Sequence, residues 1–420
     1  MKILIVGGTW TIETDVVFED NRRSKLVERI AIAIKDYCLA ECRNSCFIDL
    51  YNGGYYYDLE NILNKTPEYD IVFWLANVPD NSLPKIRDVK EVAPHVMLVT
   101  SKRNDCDKYS FMELTQRALA VKANMFFEFK KTDTKLFHIN VFDPLGCHWY
   151  DGFSVDDAVV AAMDRLIYLM SMTRQKTIKS HLEKSDVMDT FFTKVGENVA
   201  KSEKEVIVPA EDEFIDIVRK HAETFYTIFN PGKDVKRFLG NASLRAQLNI
   251  DSTRCMRGMP SFKKGDMIFV SQRNIDKQFI SLENFVPCYM EDNKLYYYGD
   301  KKPSVDAPIQ LRLYEALPHI NYIIHSHCYI EGAYFTSNSI PCGAIEEVDE
   351  VLEVVKKIDE EFDTFLEYWM NVHGKIKPDG EKPICYKINL KGHGSLLMAR
   401  DVAALRDVKY VGRQLPEIMF

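Results

Sequence analysis

The chain has 420 residues, 46% hydrophobic and 28% charged, with a formal net charge of −8 and a sequence pI near 5.8. This composition is globular and long enough for two domains. The acidic balance, with no stretch dense in Lys and Arg, excludes nucleic acid and anionic membrane as partners. Apolar runs such as "DIVFWLANV" are strand-length and too short to cross a bilayer. "MKILIV" opens a strand rather than a signal peptide, and the ten cysteines show no framework spacing. The expectation is a cytoplasmic protein with reduced thiols.

Residues 1–175 read as alternating short strands and amphipathic helices. "KILIVGGT" is an apolar run ending in glycines. "SKLVERIAIAIKDYCLAE" has Leu26, Ile30 and Ile34 at helical spacing, with Ser24 placed to cap it. Strands are expected at "SCFIDLYNGG", "DIVFWLANV" and "HVMLVTSKRN", a helix across "FMELTQRALAVKANMFFEF", a strand at "KLFHINVFDPLG" and a helix at "SVDDAVVAAMDRLIYLMSM". This alternation predicts a doubly wound parallel sheet, Rossmann-like or flavodoxin-like. Ligands of such sheets sit beyond the strands' carboxyl ends. Those ends carry Gly7, Gly8, Thr9, Asn52, Gly53, Gly54, Asn77, Ser101, Lys102 and Arg103, a candidate rim for a nucleotide or phosphate. "GGTWT" is not the GxGxxG fingerprint, so the glycines equally serve tight turns. Cys38, Cys42 and Cys46 recur every four residues and share a helix face, either as a metal site or, on the preferred reading, as a small apolar seam.

Residues 176–208, dense in Lys, Glu and Ser, read as a charged connector with helical pieces. Residues 209–420 open with the helix "EDEFIDIVRKHAETFYTIF" and continue in shorter, β-rich segments, an α/β domain with much antiparallel pairing. One of these segments is "YIIHSHCYIEGAYF". Residues two apart in a strand point to one side, so His325 and His327 project together and suit one metal ion. Neutral imidazole suits zinc, which in catalytic sites takes three protein ligands and leaves one position open. "LKGHGSLLMA" supplies a third candidate, His393, between two glycines.

"GNASLR", "KPSVDAPIQLRLYEALPHINYIIHSH", "SIPCG" and "KGHGSLLMA" follow one another in the order seen in the class II aldolase and adducin family, which residues 210–415 resemble. The resemblance implies a class II aldolase-like α/β/α domain acting on a small-molecule sugar phosphate or nucleotide-sugar. It implies Zn2+, or another divalent transition metal, on His325, His327 and His393, with Asp306 at the family's catalytic acidic position. Gly240, Asn241, Ser304 and Gly258 match positions that hold the substrate's phosphate. Relatives supply a tyrosine as proton donor from a neighbouring subunit or the C terminus; Tyr410, the tyrosine of the tail, is the candidate for it or, on the preferred reading, an isolated packing aromatic, and a homo-oligomer is implied by the family.

The chain also departs from the pattern. Phe238 and Leu239 precede the GN pair where a small hydroxyl residue is usual, Val305 replaces a serine, and Arg257 stands where a small hydroxyl residue is common. The phosphate pocket is therefore rebuilt: either Arg257 restores binding as a bidentate clamp, or the ligand is not a simple sugar phosphate. After "SIPCG" the chain runs directly into "AIEEVDEV", short of the loop that holds the epimerases' catalytic acid, so Glu346 and Glu347 become further candidates. The leading expectation is a zinc-dependent aldolase, a lyase working through a metal-stabilised enediolate. The alternatives are an epimerase, isomerase or dehydratase on the same metal, and a non-catalytic adducin-like interaction module.

Overall fold

The computed structural model describes residues 1–7, 25–41, 46–52, 56–65, 68–75, 96–132, 136–144, 147–172, 182–184, 212–229, 238–245, 268–291, 294–297, 301–340, 342–375 and 382–412. The chain divides into two compact units, one built on Met1–Met172 and one on Thr173–Asn230 and Lys236–Arg413.

The first unit runs β1 (Lys2–Gly7), α1 (Lys25–Glu41), β2 (Phe47–Asn52), α2 (Tyr56–Lys65), β3 (Ile71–Leu75), β4 (Met97–Arg103), α3 (Phe111–Ala120), β5 (Met125–Lys131), β6 (Phe137–Phe142), β7 (His148–Gly152) and α4 (Val155–Ser171). The sheet order is β2-β1-β3-β4-β5-β6-β7. The first five strands are parallel, the flavodoxin-like order of a doubly wound sheet, and β6 and β7 extend it antiparallel. Strand alternation explains why β1 and β3 are apolar throughout. Ile3, Ile5 and Phe73 face a core shared with α1 and α4, while Leu4, Val6 and Trp74 face one shared with α2 and α3, so both sides of each strand are covered. Ser154 caps α4 by accepting from Asp157 N, an interaction worth about 1 kcal/mol.

The single helix expected from Phe111 to Phe129 is instead α3 followed by β5. Lys122 takes a left-handed φ of 52°, ending the helix, and Asn124 N then bonds Leu98 O at 2.6 Å, starting the strand. Phe126 and Phe127 enter opposite cores, which a strand allows and one amphipathic helix face does not. Cys38 is buried in the first core, with Cys46 packed at its margin; Cys42 lies outside the described residues. Gly7 lets β1 approach α1, since a Cβ there would meet Val27 Cγ1 at 2.5 Å. Arg103 pairs with Asp105 and lies over the Phe137 ring at 5.3 Å. Gly8, Thr9, Gly53, Gly54, Asn77 and the cap Ser24 lie outside the described residues.

The second unit runs β8 (Leu182–Lys184), α5 (Asp212–Phe229), β9 (Asn241–Arg245), β10 (Ile268–Ser271), β11 (Phe285–Glu291), β12 (Lys294–Tyr297), α6 (Ala307–Ala316), β13 (Tyr322–Ser326), β14 (Tyr329–Ile330), β15 (Tyr334–Phe335), α7 (Glu347–His373), β16 (Cys385–Leu390), β17 (Gly394–Ala399) and β18 (Tyr410–Val411). The large sheet is ordered β15-β16-β17-β13-β9-β10-β11-β12-β8. It is antiparallel except where β15 joins β16 and β8 joins β12 at the two edges. Leu182–Lys184, inside the expected connector, is thus an edge strand. Alternation along β13 sorts the faces. Ile323 packs into the core of α6 and α7. Tyr322 meets Phe214 of α5 on the other side, ring centroids 5.1 Å apart. Among the described residues no helix is long and apolar enough to cross a membrane.

Two glycines let neighbouring segments close on β13. Gly240 (φ 77°) would place a Cβ 2.6 Å from His325 O, and Gly394 (φ 145°) would place one 2.0 Å from Ser326 O. Gly332 has a similar φ of 72° with nothing within 4 Å and isolates the backbone term from the clash. Gly394→Ala is expected to destabilise the fold by about 3–5 kcal/mol, against about 1 kcal/mol for Gly332→Ala. Denaturant unfolding of the two variants gives the comparison; equal losses would mean that β17 has room to shift.

Candidate metal centre

His325 lies on the α6/α7 face of β13, and His327, two residues on, follows the same alternation. The neighbouring strands complete the set. β13 pairs with β17 on one side, His325 opposite Leu396, and with β9 on the other, His325 opposite Asn241. The β16–β17 turn, Lys391–His393 with Gly392 at φ 72°, therefore brings His393 to the end of β13. The three rings stand with centroids 4.9, 4.7 and 5.1 Å apart. One ligand nitrogen from each falls within 4.8 Å of the others, and all three residues are buried.

Two of the ring orientations have a direct cause. His325 Nδ1 lies 3.0 Å from Ser395 O; a carbonyl only accepts, so Nδ1 carries the proton and Nε2 offers its lone pair. His393 Nδ1 lies 2.6 Å from the Glu347 carboxylate, leaving His393 Nε2 buried without a hydrogen-bond partner among the described residues. An orphaned polar atom of that kind costs about 1–3 kcal/mol, and a bound cation offsets the loss. Burial pulls His393 down, but the Glu347 carboxylate outweighs it and holds the ring well above the ordinary imidazole range. A cation held at Nε2 would take the place of that second proton. Three convergent imidazoles, with a carboxylate behind one of them, fit a divalent transition metal.

Acids stand at the start of both helices on this face, where the helix dipole favours negative charge. Glu347 opens α7, and Asp306 precedes α6 without a side-chain cap bond of its own. The Asp306 carboxylate turns inward instead. It accepts from Asn241 Nδ2 at 2.8 Å and from the Cys342 thiol at 3.6 Å. Burial, then Asp306 itself, push that thiol up, so it stays protonated and can donate. Asn241 Nδ2 also donates to Ser304 Oγ at 3.1 Å, and Asn241 Oδ1 accepts from Gln310. Lys277 is fully buried, its ammonium donating to Phe238 O at 3.1 Å and Leu239 O at 3.3 Å. Burial pulls it down to about 7 against the opposing charges of Asp276 and Asp306.

His325, His327, His393, Asp306, Gly240, Asn241 and Ser304 thus gather at one end of the sheet. Tyr410 does not join them within the protomer. It hydrogen-bonds Ser326, which alternation turns away from the histidines, and meets the His221 ring of α5 at 5.4 Å. Burial pushes its hydroxyl up. Arg257 and Gly258 lie outside the described residues. Sequence reasoning missed the partnership of Glu347 with His393, and missed Cys342, Gln310 and Lys277 altogether. Gln310 had a signal, four residues after Asp306 on the same helix face; Lys277 had none, because only tertiary burial marks it.

Residues 222–411 match the family described as the Class II Aldolase and Adducin N-terminal domain. No curated protein matches the chain. Among solved structures, an L-fuculose 1-phosphate aldolase is 13% identical over 47% of this chain and 80% of its own, with a TM-score of 0.28. The L-fuculose 1-phosphate aldolase from Glaciozyma antarctica PI12 is 11% identical over 49% and 73%, with a TM-score of 0.24. A DNA/pantothenate metabolism flavoprotein from Streptococcus pneumoniae is 12% identical over 40% and 98%, with a TM-score of 0.31.

Two outcomes are expected from this geometry. Glu347→Ala should weaken zinc binding about 10- to 100-fold, as loss of a carboxylate behind a ligating histidine does, with Glu347→Gln between it and the parent; chelator competition measures it. Lys277 supplies the second. Its pKa is lowered in the fold from 10.5 to about 7, so between those values the unfolded chain binds a proton that the folded one does not. Stability therefore falls as pH drops through that window and is flat below it. Relative to Lys277→Met, the parent should gain up to about 1.4 kcal/mol per pH unit on going from neutral to alkaline pH. Parallel unfolding profiles would show that Lys277 stays charged.

Proposed function

We propose, for a chain whose residues 222–411 match the class II aldolase and adducin family, that it is a zinc-dependent lyase, an aldolase making or breaking a C–C bond in a phosphorylated or nucleotide-linked sugar. The observation that carries this reading is the convergence of His325, His327 and His393, all buried, beside an inward-turned Asp306. The three histidines would hold Zn2+, which when bound polarises a substrate carbonyl and stabilises negative charge developing on its oxygen. Asp306 is the proton carrier. Asn241 and the Cys342 thiol fix its carboxylate by direct bonds, so one orientation faces the reacting carbon instead of a set of rotamers. Glu347 holds His393 in one tautomer. Asn241, tied to Ser304 and Gln310, keeps the wall that carries Asp306 from shifting. Tyr410 faces the other side of β13 within the protomer, so proton transfer rests here on Asp306.

The test is product analysis of the zinc-loaded full chain supplied with dihydroxyacetone phosphate and a panel of aldehydes. A new condensed sugar phosphate is expected. An isomer of unchanged mass from a pentulose phosphate would instead mark an epimerase, and no zinc retained by freshly purified protein would end the metal-dependent reading. Asp306→Asn should keep zinc and fold while turnover drops about 10²- to 10⁴-fold. Undiminished turnover in that variant would remove Asp306 from the chemistry.

A further inference from the structure

β2 is an edge of the first unit's sheet. It pairs with β1 and with no other strand among the described residues. The outer row of backbone donors and acceptors on such a strand is a template for another chain, and edges are ordinarily guarded by Lys, Pro or a bulge. β2, "FIDLYN", has neither Lys nor Pro, and its register with β1 is regular from end to end. Its single charge, Asp49, is held by the Tyr69 hydroxyl at 2.8 Å. Phe47 and Tyr51, on one face of the strand, are 69% and 43% exposed. On the other face, β2 and α1 leave a groove of about 660 Å³, lined by Cys38, Cys46, Ile48 and Leu50 together with Ile32 and Leu39. Ile32 and Leu39 are 49% and 55% exposed. The cysteine seam of the sequence thus lines a groove with open apolar walls beside an unguarded edge, the mark of a protein contact.

The charges on this face identify the partner. Glu28, Ala31, Ile32, Lys35 and Leu39 form one stripe of α1 at helical spacing. Glu28 and Lys35 are exposed, and neither makes an ion pair or side-chain hydrogen bond among the described residues. The adjacent Arg29, by contrast, is paired with Asp156. Glu28 stands three residues before Ala31, and Lys35 three after Ile32. An acid and a base equally far from an apolar centre match the same pattern turned through a half-circle. A two-fold contact sets a surface against its own copy and requires that match, whereas an unrelated partner does not.

We propose that a second copy of this chain covers this face, β2 and α1 of the first unit forming a two-fold interface. β2 pairs antiparallel with its copy and extends the sheet across the axis. Pairing centred on Leu50 sets it against the partner's Leu50 and places Asp49 opposite the partner's Tyr51, which keeps the two carboxylates from facing each other. The same axis lays α1 antiparallel to its copy on one face of the joined sheet. Glu28 then meets the partner's Lys35, Lys35 meets the partner's Glu28, and Ile32 and Leu39 close over the groove. This contact takes nothing from the metal centre, so it is separate from the homo-oligomer that the family implies.

Light scattering of the full-length protein at micromolar concentration should give at least twice the chain mass of 48.6 kDa. Ile32→Glu should halve the parent's mass with helix content unchanged by circular dichroism. Glu28→Lys and Lys35→Glu should each weaken association about 10-fold, as like charges replace two symmetric ion pairs; sedimentation over a dilution series reads the change. The double variant Glu28→Lys/Lys35→Glu should return to the parent's affinity, because exchanging the signs restores both pairs. Amide hydrogen exchange over residues 47–52 should be slower in the parent than in Ile32→Glu, which reads the strand pairing. A parent of 48.6 kDa, a mass unchanged in Ile32→Glu, or equal exchange over 47–52 would overturn the proposal. So would a double variant as weak as either single one, because the groove would then receive something other than its own copy. If Ile32→Glu loses helix content, the charge exchange at the two exposed positions decides alone.

Discussion

The register of β13 between β9 and β17 is the constraint on which the site depends. One strand position sets its neighbours on both sides at once, because His325 lies opposite Asn241 on one side and Leu396 on the other. A slip of one residue would turn His325 and His327 to the α5 face and present Ser326 to α6 and α7. The register is held by close contact as well as by ladder hydrogen bonds. Gly240 and Gly394 each lie where a Cβ would collide with a carbonyl of β13, so the substrate-side segment and the His393 turn can come up only against this strand in this alignment.

Charge is arranged around that register. Three imidazoles converge, one of them bonded to the Glu347 carboxylate, and the two acids of this face, Glu347 and Asp306, come from helix starts, where the dipole favours them. Each has a separate task. Glu347 bonds Nδ1 of His393, behind the nitrogen that faces the other two rings, while Asp306 is held by an amide and a thiol, contacts that orient a carboxylate without neutralising it. The buried Lys277 side chain lies in the field of Asp306 as well as of Asp276, so the Asp306 carboxylate is met by a cation whenever Lys277 carries its proton. The whole follows from placing charge at fixed dipoles instead of in water, the condition under which such groups act strongly.

The first unit gives the clearest view of what pattern reading can and cannot separate. Its strands and helices were legible because the sheet is covered on both faces and each helix has a single apolar side. The reading failed between Val121 and Phe129, where apolar and aromatic residues fit a helix continuing from α3 as well as a strand. The left-handed Lys122 and the pairing of Asn124 with Leu98 decide that stretch, and both are tertiary events. The same holds for Leu182–Lys184, whose charged surroundings suggested a solvated linker and whose backbone pairs with β12.

In the second unit, the sequence by itself determined the three histidines. Period-two spacing fixes the common face of His325 and His327, and glycines on both sides of His393 mark a turn that approaches another chain segment. It also determined Asp306, through its place in an ordered set of motifs. Only the tertiary structure decided the rest. Glu347 becomes a partner of His393 because α7 begins over the β16–β17 turn, and Tyr410 leaves the site because Ser326 points away from its neighbours on β13. Lys277 acquires meaning from what surrounds it, through full burial. Local pattern encodes which way a side chain points along its own strand or helix. Which groups lose water together, and which charges are left to face each other, is settled only when distant segments meet.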